Sequence, residues 1–96
     1  MGKIRGPIGG TYITAGLNYA MSSNPTLTKQ VQDAFRSYRR GNWGDTCAED
    51  SVMNDMAAAN PGTDRIFASY DTCEGRIFII TEWDRSITTL LFANEY

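Results

Sequence analysis

A chain of 96 residues with a formal net charge of −2 and no histidine has room for one domain built on one modest core. The missing histidine removes the commonest general base, nucleophile activator and zinc ligand together. A slightly acidic balance argues against coating nucleic acid by bulk charge, while a local basic face stays open.

The first ten residues hold Gly2, Gly6, Pro7, Gly9 and Gly10, the composition of a turn-rich arm. Met1-Gly2-Lys3-Ile4-Arg5-Gly6 approaches a myristoylation start, but Gly6 stands where Ser or Thr is wanted. Thr11-Tyr12-Ile13-Thr14 suits a short edge strand or the start of a brief helical turn through Tyr19 and Met21. Ser23-Asn24-Pro25 is a helix-start signal, with Asn24 as N-cap and Pro25 at the first helical position. Leu27, Val31, Ala34, Phe35 and Tyr38 then recur at the spacing of one buried helical face, and the helix should run over about Pro25–Arg40. Lys29, Gln32, Asp33, Arg36 and Arg40 form its outer face, and Gly41 ends it.

Thr46-x-x-Glu49 fits a capping box for a second helix. Its predicted inner face is Val52, Met53, Met56 and Ala59, with Asp50, Asn54, Asp55 and Ala58 toward solvent, and Asn60-Pro61-Gly62 closes it. Beyond Pro61 the apolar period becomes extended: Arg65–Tyr70, Arg76–Trp83 and Ile87–Phe92 read as three strands joined by Thr72-Cys73-Glu74-Gly75 and Asp84-Arg85-Ser86. The expected architecture is α+β: a two-layer fold with an antiparallel meander of three to four strands packed on two to three helices. Ile77-Phe78-Ile79-Ile80 is apolar on both faces, so the sheet needs cover on both sides. Two helices cover one face. The other falls to the glycine-rich arm or to a second copy in a homodimer.

Three constellations carry chemistry. Glu82, Asp84 and Arg85 sit at the tip of a hairpin, either as a recognition patch joined by Trp43 and Asp45 or as an Asp–Arg or Glu–Arg pair that rigidifies the turn. Lys29, Arg36 and Arg40, with Arg39 nearby, make a helical stripe that could meet phosphate, yet Asp33 sits inside it at ion-pairing distance. Asp45, Glu49, Asp50 and Asp55 lack the spacing of a calcium loop. Cys47 and Cys73 cannot complete a zinc site without imidazoles. No metal and no cofactor are expected. With no signal-like opening and no apolar run near about 18 residues, a cytoplasmic protein without a membrane partner is expected.

Gly41-Asn42-Trp43-Gly44-Asp45, Glu49-Asp50, Asn54, Ser69-Tyr70, Ile79-Ile80-Thr81-Glu82-Trp83-Asp84-Arg85-Ser86, Thr88-Thr89, Leu91-Phe92 and Glu95-Tyr96 resemble a family of short proteins carried by bacterial plasmids, phages and integrated elements. The resemblance spans Tyr38 to Tyr96, and the T-E-W-D-R-S-x-T-T string is its most specific part. Ala93 departs from it, standing where the family pattern has proline. The resemblance implies no catalytic residue. By analogy of size and context it implies a counter-defence role, anti-CRISPR before anti-restriction, with a host defence protein or ribonucleoprotein complex as partner. The alternatives are a nucleic-acid-associated accessory protein using Lys29, Arg36, Arg39 and Arg40, and a small ligand-binding or hydrolytic module on the carboxylates.

Overall fold

The computed structural model describes residues 3–96; Met1 and Gly2, with the myristoylation-like start, lie outside the described residues. Among the described residues the order is β1 (Gly10–Ile13), α1 (Ala15–Ser22), α2 (Pro25–Arg39), α3 (Ala48–Ala59), β2 (Ile66–Thr72), β3 (Gly75–Thr81), β4 (Ile87–Phe92) and a final 3-10 turn at Ala93–Glu95. The fold is α+β, as its change of apolar period predicts. β2, β3 and β4 form the expected antiparallel meander, but the sheet is mixed. Its order is β1-β4-β3-β2, and the edge strand β1 runs parallel to β4, pairing Gly10 with Ile87 and Ile13 with Leu90.

α2 forms where its signals place it. The Asn24 side chain accepts the Leu27 N–H at 3.1 Å, Pro25 opens the first turn, and Leu27, Val31, Ala34 and Tyr38 are buried. These residues meet Ile66, Ala68, Ile77, Ile79 and Leu90 from one face of the sheet in a core that also takes Leu17 of α1. The arm contributes Ile4 and Ile8 to this same core. It therefore lies on the helical side and leaves the second sheet face to other cover.

That second face is partly covered by residues late in the chain. Tyr96 stands edge-on to Phe67 and Phe78, with ring centroids 5.3 and 5.7 Å away. Glu95 fixes this turn by accepting the Phe92 N–H at 2.8 Å and the Thr14 hydroxyl at 2.9 Å. On this face Ile80 and Leu91 are buried within one chain, while Phe67, Ser69, Phe78 and Thr89 stay half-buried.

The predicted inner face of α3 is inverted. Asn54, Ala57 and Ala58 are buried, whereas Val52, Met53 and Met56 are 58%, 51% and 58% exposed and Ala59 also faces solvent. The reason is the job of Asn54. Its amide donates to the Phe67 carbonyl at 2.9 Å and accepts the Phe67 N–H at 3.0 Å, so it pairs with the free edge of β2 as another strand would. Small alanines beside it let the helix approach closely. The capping box is also absent: Cys47 is the N-cap and supplies no side-chain hydrogen bond. The Thr46 hydroxyl instead donates to the Trp43 carbonyl and accepts the Ser69 N–H.

Candidate functional site

The β3–β4 turn is where the sequence concentrates its charge, and the structure divides its residues between two tasks. Arg85 is 9% exposed, with φ of 61°, a left-handed conformation that is uncommon outside glycine. Its guanidinium donates to three backbone carbonyls: Arg5 in the arm at 3.1 Å, and Ala57 and Ala58 at the end of α3 at 2.8 and 3.4 Å. A cation suits the carbonyl-rich end of a helix. The expected Asp–Arg or Glu–Arg pair does not form; Arg85 locks the fold through backbone oxygens. Its Nε is buried with no partner among the described residues.

Thr81 and Thr88 extend this lock. The Thr88 hydroxyl donates to the Ile8 carbonyl at 2.7 Å, and Thr81 lies 2.7 Å from both Thr88 and the Tyr38 phenol. A carbonyl can only accept, so Thr88 must donate to Ile8, Thr81 to Thr88, and Tyr38 to Thr81. The relay therefore has one direction. Burial pushes the Tyr38 phenol well above its ordinary pKa, in keeping with a neutral donor.

Glu82, Trp83 and Asp84 take the outward task. Trp83 is 58% exposed, Asp84 is exposed and Glu82 half-buried. Asp84 accepts the Ser86 N–H at 3.0 Å, and bonds from the Ser86 side chain and backbone hold its carboxyl below the usual range. It is an ionised turn carboxylate.

The five residues predicted as one contact patch are not brought together. Trp43 is buried, edge-on to Tyr38, with its indole N–H on Asp55 at 2.8 Å. Asp45 sits at the far end of β2, where its Oδ2 accepts the Asp71 N–H and its own N–H reaches the Ser69 carbonyl. Thr81, next to Glu82, pairs with Ile66, so about 16 Å of strand separates Asp45 from the charged turn. Trp43, Asp45 and Arg85 are fold-holding residues.

The basic stripe also divides. Asp33 pairs with Lys29 at 3.1 Å and with Arg36 at 2.9 Å, and these bonds, that from Lys29 foremost, hold its carboxyl below the ordinary value. Arg39 lies over the Phe35 ring at 5.9 Å. Arg36, Arg39 and Arg40 line a cleft whose opposite wall is the arm, including Lys3. Lys29 is outside it. Among the described residues no group of three metal-ligating side chains converges, and no helix is long and apolar enough to cross a membrane.

What the sequence misses is the outward face of α3. Exposed Val52, Met53 and Met56 stand beside exposed Glu49 and Asp50. Met53 continues into an open cavity of about 430 Å³ with Asp50, Asp64, Arg65, Phe67 and Tyr96 in its walls. Val52 and Met53 lie four and three residues before Met56, a one-face helical spacing plain in the sequence; only the burial of Asn54 shows that it faces outward. No protein-family model, no curated protein and no solved structure matches the chain.

Proposed function

We propose that this chain is a non-enzymatic counter-defence protein that binds and blocks a host nuclease complex, and that it does so through the outward face of α3. The observation that carries this reading is the exposure of Val52, Met53 and Met56 on one helix, a contiguous apolar surface of the kind that marks interaction sites. Methionine adapts its shape to a partner at little cost. Glu49 and Asp50 flank the stripe, and Asp64 lies in the adjoining cavity wall. The carboxylates of such a face complement a basic surface, and a groove that binds phosphates is basic. Occupying that groove blocks the enzyme without any chemistry of its own. The nuclease context is an analogy from small size and from the mobile-element setting that the resemblance over Tyr38 to Tyr96 implies.

The test is interference in cells. Expression of the chain in hosts carrying an active CRISPR nuclease or restriction nuclease should raise transformation by the targeted plasmid at least tenfold. A Met53→Asp/Met56→Asp variant with an unchanged melting curve should lose that protection. Protection by the double variant equal to wild type would remove the α3 face from the reading, and no protection in either host type would remove the role itself.

A further inference from the structure

We infer that the cleft between the arm and the C-terminal half of α2 binds phosphate groups of a single-stranded nucleic acid. The cleft encloses about 350 Å³ and is lined by Lys3, Arg36, Arg39 and Arg40 together with Ile4 and Ile8, with no carboxylate in its walls. Three ion pairs occur among the described residues, and none includes Lys3, Arg39 or Arg40. Like charges gathered around one concavity repel each other, and a bound anion relieves that cost.

The dipole of α2 accounts for part of this cluster, because Arg36 and Arg39 lie in its last turn. It does not account for Lys3, which arrives from the other end of the chain. Lys3 is placed by a built anchor: Ile4 and Ile8 are buried, the Arg5 N–H donates to the Ala58 carbonyl at 3.0 Å, and Arg85 holds the Arg5 carbonyl. Two unrelated segments therefore deliver cations to one concavity. Arg39 and Arg40 are exposed and can bond two phosphate oxygens each in a planar fork.

A strand of nucleic acid fits better than a membrane surface. The apolar residues of the cleft, Ile4 and Ile8, are committed to the core and have no freedom to enter a bilayer, and the cations line a concavity. Three or four cations match a short run of phosphodiesters. This site is separate from the α3 face, so either can fail without the other.

The measurement is fluorescence anisotropy of a labelled 12-nucleotide single strand titrated with the full chain between 20 and 200 mM salt. Three to four neutralised phosphates predict a slope of log K against log salt of about −2 to −3. Arg39→Glu/Arg40→Glu should weaken binding at least tenfold, as should Lys3→Glu, while Lys29→Glu, which changes charge outside the cleft, should stay within about twofold, since its ammonium pairs with Asp33. Melting curves confirm that each variant is folded. Several results would overturn the inference: no binding at the lowest salt, equal loss in Lys29→Glu and Arg39→Glu/Arg40→Glu, or tighter binding of a duplex. Competition by millimolar inorganic phosphate as strong per phosphate as by the oligonucleotide would reassign the cleft to a lone phosphate. Retention on anionic lipid vesicles without oligonucleotide binding would reassign it to a membrane.

Discussion

At the residue scale, neighbours in sequence have opposite fates. Asp84 and Arg85 look like a pair, yet one is a solvated turn carboxylate and the other a buried clamp on three carbonyls. Arg85→Ala should cost about 2–4 kcal/mol, because it strips charge-assisted bonds from buried carbonyls at the end of α3 and in the arm. Asp84→Asn retains the turn acceptor and should change stability by less than about 0.5 kcal/mol. Denaturant titration of both variants checks this, and equal effects would return Arg85 to the surface. Tyr38 and Tyr70 give a second expectation. Burial raises both phenols above their ordinary value of 10.0, so each stays protonated in the folded chain after it would ionise in the unfolded one. The unfolded state then binds fewer protons, and stability present below pH 10 is lost progressively as the pH rises above it. Tyr38→Phe should flatten that alkaline decline while lowering stability at pH 7, since Thr81 loses its donor. Melting temperatures between pH 7 and 11 provide the comparison.

At the scale of elements, α3 is best understood as the cover of a sheet edge. Every β2 residue whose backbone faces outward along this stretch is engaged: Phe67 by the Asn54 amide, Ser69 by the Thr46 hydroxyl and Asp45 N–H, and Asp71 by the Asp45 carboxylate. Asn54→Ala should cost about 2–3 kcal/mol and Thr46→Ala about 1–2 kcal/mol, through backbone groups left unpaired. Glu49→Ala should be close to neutral, because no capping box depends on it. Chemical denaturation of the three variants tests the set, and a Glu49 effect matching that of Thr46 would restore the box. This pattern explains what the sequence could and could not reveal. α2 was legible because its propensity, cap and apolar period all agree. α3 was not, because its strongest apolar residues point outward and its decisive inner residue is an amide whose partner is backbone. The same limit hid the role of Arg85: side-chain charges advertise side-chain partners, whereas its partners are carbonyls that every residue carries. The parallel pairing of β1 was equally silent, since four exposed residues beside glycine have no period to read. Of the candidate site, the place of Glu82, Asp84 and Arg85 at a hairpin tip was legible, whereas the exposure of Trp83 was not, and Lys3 joins Arg39 and Arg40 only through the folded arm.

At the scale of the whole molecule, the two ends of the chain finish the sheet from opposite sides. The arm enters the helical core and is held by Arg85, Thr88 and a close approach at Gly9, where a Cβ would lie 2.3 Å from the Ser86 carbonyl oxygen. The last residues cover part of the second face, where Tyr96 packs on Phe67 and Phe78. The sheet thus has one edge sealed by side chains and one formed by β1. A sealed edge has a consequence beyond stability. Unpaired strand backbone is a template on which other chains can add and grow into aggregates, and Asn54, Thr46 and Asp45 remove that template from β2. What remains is the four residues of β1, Gly10–Ile13, and a very short edge strand is one way in which such a template is blunted. The exposed Val52, Met53 and Met56 of α3 lie on a helix, and that surface offers no strand backbone for another chain to extend.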